Sequence, residues 1–91
     1  MNTAGHFTSA LLKTEDIMNV TSYRLKNLRM SQGYTKTDVA KAAGVTRRAV
    51  YGWESDTMTP TTANIVQLAQ LFEVSTDYLL GLTDTKNKTE D

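Results

Sequence analysis

The stretch that decides the fold is KTDVAKAAGVTRRAVYGWES, from Lys36 to Ser55. Thr35 directly before it is a good N-cap, and Asp38 three residues later can complete a capping box, so a helix is predicted from residue 36. Gly44 is the residue best able to adopt the left-handed conformation that ends a helix. Thr46 then caps a second helix after only three turn residues. The stretch therefore predicts two short helices joined by a tight turn.

The spacing of apolar residues predicts how these two helices pack. So short a connection forces a steep crossing, which needs a small side chain at the contact, and Ala40 is that residue. Residues at helical spacing are predicted to face inward: Val39, Ala43, Val45, Val50 and Trp53. Trp53 is therefore expected in the core and not as an exposed platform for stacking. The second helix is then predicted to carry an outward face of Arg47, Arg48, Tyr51 and Gly52. Two arginines at the N-terminal end of an exposed helix are what a major-groove reader needs.

Composition limits the chain to one small domain. It has 91 residues, 40% of them hydrophobic, with 5 glycines and 1 proline. That is enough for a single core, and no segment alternates polar and apolar residues as a sheet would, so the fold class is predicted to be all-α. The absence of cysteine suits a reducing cytoplasm. Neither a signal peptide nor a membrane span is apparent, so we expect a cytoplasmic protein without a membrane partner.

The amino-acid composition also argues against enzyme activity and against a bound metal or cofactor. His6 is the single histidine, and there is neither a cysteine nor a Gly-rich phosphate loop. The acidic residues are scattered, with no convergent pair that could share a pocket. We therefore expect no enzyme activity, no metal site and no cofactor.

Charge is polarised along the chain although the net charge is zero. Residues 18–55 contain seven basic and two acidic residues, a net charge of +5. Residues 56–91 carry −4 and residues 1–17 carry −1. The basic part is the part that contains the helix pair, which indicates a phosphate-facing surface better than the isoelectric point does.

Three further helices are predicted around the pair. The first begins near Thr21 or Ser22 and stops at Gly33, and residues 55–60 form a loop of turn-forming residues. Thr61 caps a fourth helix with a clear amphipathic stripe, formed by Ile65, Leu68, Ala69 and Phe72. Ser75 caps a short fifth helix that Gly81 closes. The leucines at 79, 80 and 82 could pack in the core or contribute to a dimer interface.

These elements divide the chain into three parts. Residues 1–20 are expected to be an N-terminal tail, or else an arm that packs on the domain or on a partner. Residues 21–82 form the domain. Residues 83–91 are polar and charged and are expected to be a disordered C-terminal tail.

The segment from RLKNLRMSQGYTKTDVAKAAGVTRRAVYGWESDTMTP to NIVQLAQLFEVSTDYLLG strongly resembles the phage-repressor-like (Xre/Cro) helix-turn-helix family. The resemblance covers about two thirds of the chain, from Tyr23 to Leu82. It includes the Ala–Gly–Val spacing of the turn, the Trp-Glu end of the third helix, the loop proline and the closing Leu-Leu-Gly. It implies a five-helix lambda-repressor-like bundle whose third helix enters the major groove of double-stranded DNA, bound as a homodimer.

The resemblance also implies roles for individual residues. The base-contacting positions fall on Arg47, Arg48 and Tyr51, although Tyr51 could equally well cover apolar surface. Phosphate-contacting positions are expected at Thr35, Lys36, Thr46 and Ser55. Lys36 stands where the family often has glutamine, so a point charge replaces a directional amide. Gly52 stands where relatives often have a base-contacting side chain, so the expected base contacts fall to Arg47, Arg48 and Tyr51. Arg29 and Glu54 match positions that form an ion pair between the first and third helices.

Two classes of function follow. The first is a sequence-specific DNA-binding regulator, expected to be a repressor that binds a palindromic operator as a homodimer. The second is an antitoxin or protein-interaction module of the same fold, which would bind a regulatory protein partner through the fifth helix or the N-terminal arm.

Overall fold

The protein is described by a computed structural model that covers residues 14–87, with side chains from residue 20 onward. Within these residues the chain forms five helices and no strand, so the all-α, five-helix prediction is confirmed. In chain order the helices are α1 (Thr14–Ser31), α2 (Lys36–Ala43), α3 (Arg47–Glu54), α4 (Thr62–Phe72) and α5 (Thr76–Leu79).

The α2–turn–α3 unit forms as its capping residues predict. The Thr35 hydroxyl accepts from the Asp38 N–H at 3.0 Å, and the Asp38 carboxylate accepts from the Thr35 N–H at 2.9 Å, which completes the capping box. Gly44 ends α2 with φ at 69°, in the left-handed region. The Thr46 hydroxyl then accepts from the Ala49 N–H at 3.1 Å and caps α3. These caps satisfy backbone groups at the helix ends and fix where α2 stops and α3 starts.

One apolar core lies between the helices. α2 packs against α3 and α4, while α1 packs against α3 and α5. Trp53 and Ala40 are buried, as predicted, and Val45 is half-buried against the same cluster. Leu79 is fully buried, so it belongs to the core, whereas Leu82 is half-exposed. The buried apolar residues are Leu25, Leu28, Val39, Ala40, Ala43, Val50, Trp53, Ile65, Leu68, Ala69, Phe72, Val74 and Leu79.

The first helix begins earlier than its sequence pattern suggests. A start near Thr21 or Ser22 is wrong, because α1 begins at Thr14. Thr21 and Ser22 are not caps but buried residues in mid-helix, and the Thr21 hydroxyl donates to the Leu79 carbonyl at 2.7 Å. These small polar side chains satisfy distant groups instead of their own helix terminus. Residues 1–13, which include most of the expected tail or arm, lie outside the described residues.

The segment after α5 folds back onto the domain where the sequence analysis expects disorder. The Ser75 N–H donates to the Lys86 carbonyl at 2.9 Å. Arg24 of α1 donates to the Thr83 carbonyl at 2.7 Å and to Asp84 at 3.1 Å. Residues 83–87 are therefore held by backbone and side-chain hydrogen bonds, which polar composition alone does not reveal. Residues 88–91 lie outside the described part of the chain.

Candidate nucleic-acid interface

The exposed face of α3 carries the two arginines that the sequence singles out. Arg47 and Arg48 are exposed, and within residues 20–87 neither forms an ion pair. Tyr51 lies one turn beyond Arg47 and is 58% exposed. The opposite side of the helix is anchored by Val50 and Trp53 in the core. The predicted base-contacting residues thus share one solvent-facing side of a helix whose other side is fixed.

The candidate phosphate-contacting groups lie at the N-terminal ends of α2 and α3. Thr35 and Thr46 are exposed, and each hydroxyl accepts a hydrogen bond from its own helix. A hydroxyl that accepts still has its own proton to donate, so the Thr46 hydroxyl could bind a phosphate oxygen, whereas the Thr35 hydroxyl donates its proton to the Asp38 carboxylate. Lys36 is half-buried at the first position of α2. Helix N-termini also offer backbone N–H groups and a favourable dipole to an anion.

Ser55 lies at the opposite end of α3 from Thr46. It is the C-cap residue of α3, about 12 Å along the axis from Arg47 at 1.5 Å per residue. Its hydroxyl donates to the Gly52 carbonyl at 3.3 Å and lies 2.9 Å from the Thr57 hydroxyl. The structure therefore separates Ser55 from the N-terminal group and engages its hydroxyl within the following loop.

Gly52 is not on the outward face, which corrects the prediction from helical spacing. It is buried, because the side chain of Met58 from the loop after α3 covers it. A Cβ placed on Gly52 would lie 2.5 Å from the Met58 sulfur and 2.9 Å from its Cβ. The position lacks a side chain because the loop fills the space. Only tertiary contacts reveal this, since the loop folds back in a way that helical periodicity does not describe.

An ion pair ties α1 to the end of α3. Arg29 donates to both carboxylate oxygens of Glu54, at 2.6 Å from Nε and 3.1 Å from Nη2. A third bond runs from Arg29 Nη1 to the Tyr34 carbonyl at 3.0 Å. The two side chains are only 11% and 5% exposed. Such a pair is weak evidence for net stability, but it fixes the orientation of α3 relative to α1.

Arg24 is a structural residue that the sequence analysis missed. Its guanidinium lies 4.0 Å from the centre of the Tyr78 ring and donates to the Tyr78 carbonyl at 2.6 Å. The partners are more than fifty positions away along the chain, so no local pattern signals them. Arg24 and Arg29 are two of the seven basic residues in residues 18–55, and both are engaged in hydrogen bonds within the domain. The charge available to a phosphate surface comes from the other five: Lys26, Lys36, Lys41, Arg47 and Arg48.

The acidic residue of the α2 capping box is held in its ionised form. The pKa of Asp38 lies below its ordinary value, first because the Thr35 backbone N–H donates to the carboxylate and then because the Thr35 side chain does. The nearby positive charge of Lys41 also lowers this pKa, and desolvation opposes the shift. The carboxylate is thus committed to the helix N-terminus beside the candidate phosphate contacts.

Neither a metal-ligand group nor a membrane-spanning helix is present among the described residues. Within residues 20–87, whose side chains are described, no group of three or more histidine, aspartate or glutamate side chains could hold a metal ion. Among residues 14–87, no helix has the length and apolar character needed to cross a lipid bilayer.

Comparison with known proteins agrees with this geometry. A family described as Helix-turn-helix matches residues 25–79. The chain is similar to the HTH-type transcriptional regulator ImmR of Bacillus subtilis strain 168, with 36% identity over 67 residues, which cover 74% of this chain and 53% of ImmR. The chain spans about half the length of the curated relatives it matches, at 53% and 54%.

Solved structures show the same fold. The P22 c2 repressor in complex with a synthetic operator superposes with a TM-score of 0.66 and 25% identity, over 70% of this chain and 97% of the repressor chain. A SinR protein/SinI protein complex gives a TM-score of 0.61 and 26% identity, over 66% of this chain and 59% of the matched chain. The lambda-repressor-like architecture implied by the sequence resemblance is confirmed.

Proposed function

The chain belongs to the helix-turn-helix family, and we propose that it is a sequence-specific DNA-binding transcriptional regulator that uses α3 to read the major groove. The observation that carries this proposal is the exposed arginine pair at the start of α3, on a helix whose other end is held to α1 by the pair of Arg29 and Glu54. The similar P22 c2 repressor was solved in complex with an operator.

The position of the arginines supports a role in binding rather than in stability. The first turn of α3 contains no acidic residue, and Arg47 and Arg48 both lie in it. Positive charge at a helix N-terminus opposes the helix dipole, at a cost of roughly 0.3–1 kcal/mol per residue. The fold therefore gains nothing from these two charges. These charges would instead strengthen binding to DNA, because an arginine can donate two parallel hydrogen bonds to O6 and N7 of a guanine.

We assign the remaining contacts by position. Thr35 and Lys36 lie at the N-terminal end of α2 and Thr46 at the N-terminal end of α3, and all three are proposed to bind phosphate oxygens, with Ser55 as a contact at the far end of α3. Tyr51, exposed on the same face, is proposed to contact a base or the backbone. Affinity should then fall with salt, with a log–log slope of about −0.9 per phosphate neutralised.

We further propose that the protein represses transcription as a homodimer on a palindromic operator. Two copies related by a two-fold axis would place their α3 helices about 34 Å apart, one turn of DNA. Sedimentation of the protein with and without a selected duplex tests this arrangement. Two chains per palindrome are expected, and one chain per palindrome would contradict it.

Selection from a random duplex pool, followed by binding to the selected site, tests the assignment of α3. Arg47→Ala and Arg48→Ala should each lose about 1–3 kcal/mol of discrimination, roughly 5- to 150-fold, at one guanine position. Lys86→Ala is the matched control, since it removes one exposed positive charge from the segment after α5. If both arginine variants bind the site as tightly as the wild type, α3 is not the reading helix.

A second candidate function is a protein-interaction module. One matched structure is a SinR protein/SinI protein complex, so a chain of this fold has been solved with a protein partner. Co-purification of a stable heteromeric partner, together with DNA binding that shows no sequence preference, would favour this alternative.

A further inference from the structure

We propose that Met58, from the loop after α3, is an additional specificity-determining residue that contacts the 5-methyl group of a thymine in the major groove. The proposal rests on the DNA-binding function proposed above. It assigns to the loop the contact that α3 itself cannot make, because α3 has glycine at position 52.

The first observation is that Met58 occupies the space where a side chain of residue 52 would be. The sulfur, Cγ and Cβ of Met58 lie 2.5, 2.7 and 2.9 Å from an ideal Cβ built on Gly52. No real Cβ tolerates three such contacts, so residue 52 can have no side chain while Met58 keeps this position. The methionine thus takes over the position next to the last turn of α3.

The second observation is that the loop is fastened to α3, which fixes the position of Met58. The backbone N–H groups of Thr57 and Met58 both donate to the Gly52 carbonyl, at 2.9 and 3.0 Å. Asp56 adopts a left-handed conformation with φ at 63°, and its carboxylate accepts from the Ser22 hydroxyl at 3.3 Å. The loop is therefore anchored to both α3 and α1.

The third observation is that Met58 is half-exposed at the edge of α3 that Gly52 occupies. Gly52 lies one helical turn beyond Arg48, so the residue that covers Gly52 adjoins the same edge of α3. Met58 is 47% exposed, similar to Tyr51 at 58%. A half-exposed thioether is available for an apolar contact while its stem remains packed on the helix.

The surroundings of Met58 suit an adaptable contact. On another side it lines a small cavity of about 70 Å³ with Thr21, Pro60, Ile65 and Leu80. A methionine with free volume beside it can change rotamer to follow the surface that it meets. Among the groups in the major groove, the thymine methyl is the apolar one, and apolar side chains recognise it by contact.

The test is a binding cycle between the methionine and the methyl group. The operator selected by the wild type is synthesised with uracil in place of each thymine in turn, which removes only the 5-methyl. At one position per half-site, wild-type affinity should fall about fourfold, the value expected for losing one buried methyl group. Met58→Ala should bind the thymine and uracil duplexes equally at that position. Met30→Ala removes a different exposed methionine, which lies on α1, and should bind the thymine and uracil duplexes as the wild type does.

A second variant covers the case in which Met58→Ala does not fold. Met58→Gln keeps the length of the stem but replaces the thioether end with a polar amide, and it should also abolish the difference between thymine and uracil. If either folded variant retains the full wild-type loss at every position, Met58 makes no methyl contact and this inference is wrong, while the function of α3 stands. If the wild type selects no sequence at all, the DNA-binding proposal fails and this one fails with it.

Discussion

The arginines of α1 and the arginines of α3 are chemically identical but have opposite environments. Arg24 and Arg29 lie on α1 with side-chain exposures of 15% and 11%, and both are hydrogen-bonded to carbonyl and carboxylate oxygens. Arg47 and Arg48 lie in the first turn of α3 and are exposed. Because its partners and its burial decide what an arginine does, a count of basic residues overstates the charge that is free to meet DNA.

The comparison also separates orientation from recognition. The pair of Arg29 and Glu54 connects the C-terminal end of α3 to α1, while the first turn of α3 presents Arg47 and Arg48. One arginine fixes the helix that displays the other two. Substitutions at the two ends of α3 should therefore change different measurements, with stability at the C-terminal end and DNA affinity at the N-terminal end.

The largest effect is expected for Arg29→Ala. It leaves the Glu54 carboxylate, only 5% exposed, without its cation. Breaking a buried pair on one side costs about 3–5 kcal/mol, so the free energy of unfolding in a denaturant titration should fall by that amount. Arg29→Met combined with Glu54→Leu should recover most of the loss, since apolar replacement removes both charges.

Arg47→Ala is the matched control for that experiment. An exposed arginine without an internal partner should change the free energy of unfolding by no more than about 0.5 kcal/mol. An equal loss in Arg29→Ala and Arg47→Ala would contradict the division between the two sets of arginines.

An intermediate effect is expected for Arg24→Ala. The substitution removes hydrogen bonds to the Tyr78 and Thr83 carbonyls and the contact with the Tyr78 ring, for a loss of about 1–3 kcal/mol. Residues 83–87 should also detach, so the Ser75 amide, which donates to the Lys86 carbonyl, should exchange its hydrogen faster.

Asp84→Asn is the control for Arg24→Ala. It removes only the charged partner of Arg24, and the Asp84 side chain is 77% exposed. The free energy of unfolding should therefore fall by less than about 1 kcal/mol. If the Ser75 amide keeps its wild-type exchange rate in Arg24→Ala, then Arg24 does not hold the segment after α5.

The smallest effect on stability is expected for Asp38→Asn, and it extends the comparison to the acidic residues Asp38 and Glu54. Asp38 is exposed, whereas the side chain of Glu54 is only 5% exposed, and the pKa of Asp38 is lowered by its bond from the Thr35 N–H. A lowered pKa means that its contribution to stability is present above the unfolded-state value of about 3.9 and is lost as pH falls through the lower folded value. Asp38→Asn should therefore destabilise the protein slightly at neutral pH, with the difference from wild type shrinking below about pH 4. An NMR titration that gives Asp38 an ordinary or raised pKa would refute this.

The parts of the fold that are local in sequence could be predicted. Thr35, Thr46, Thr61 and Ser75 each accept from a backbone N–H three residues on, as side chains at N-caps do. Gly44 takes the left-handed conformation that few other residues adopt easily. These interactions involve residues within one helical turn, so a short window of sequence contains both partners.

The candidate site could be predicted only in part. Arg47, Arg48 and Tyr51 fall on the exposed face because helical spacing assigns the core-facing side to Val50 and Trp53. The same rule placed Gly52 outside, and it failed because the loop after α3 folds back over that position. Periodicity describes one helix in isolation and contains no information about a covering loop.

The sequence by itself determined where the helices α2 to α5 begin, which residues form their buried stripes, and that two arginines open α3. Tertiary structure decided the environment of each charge and of each exposed apolar group. Arg24 and Asp84 are 60 residues apart, Arg29 and Glu54 are 25 apart, and Met58 covers a glycine on another element. A cap needs only its own helical turn, whereas burial and ion pairing depend on which distant segments the core brings together.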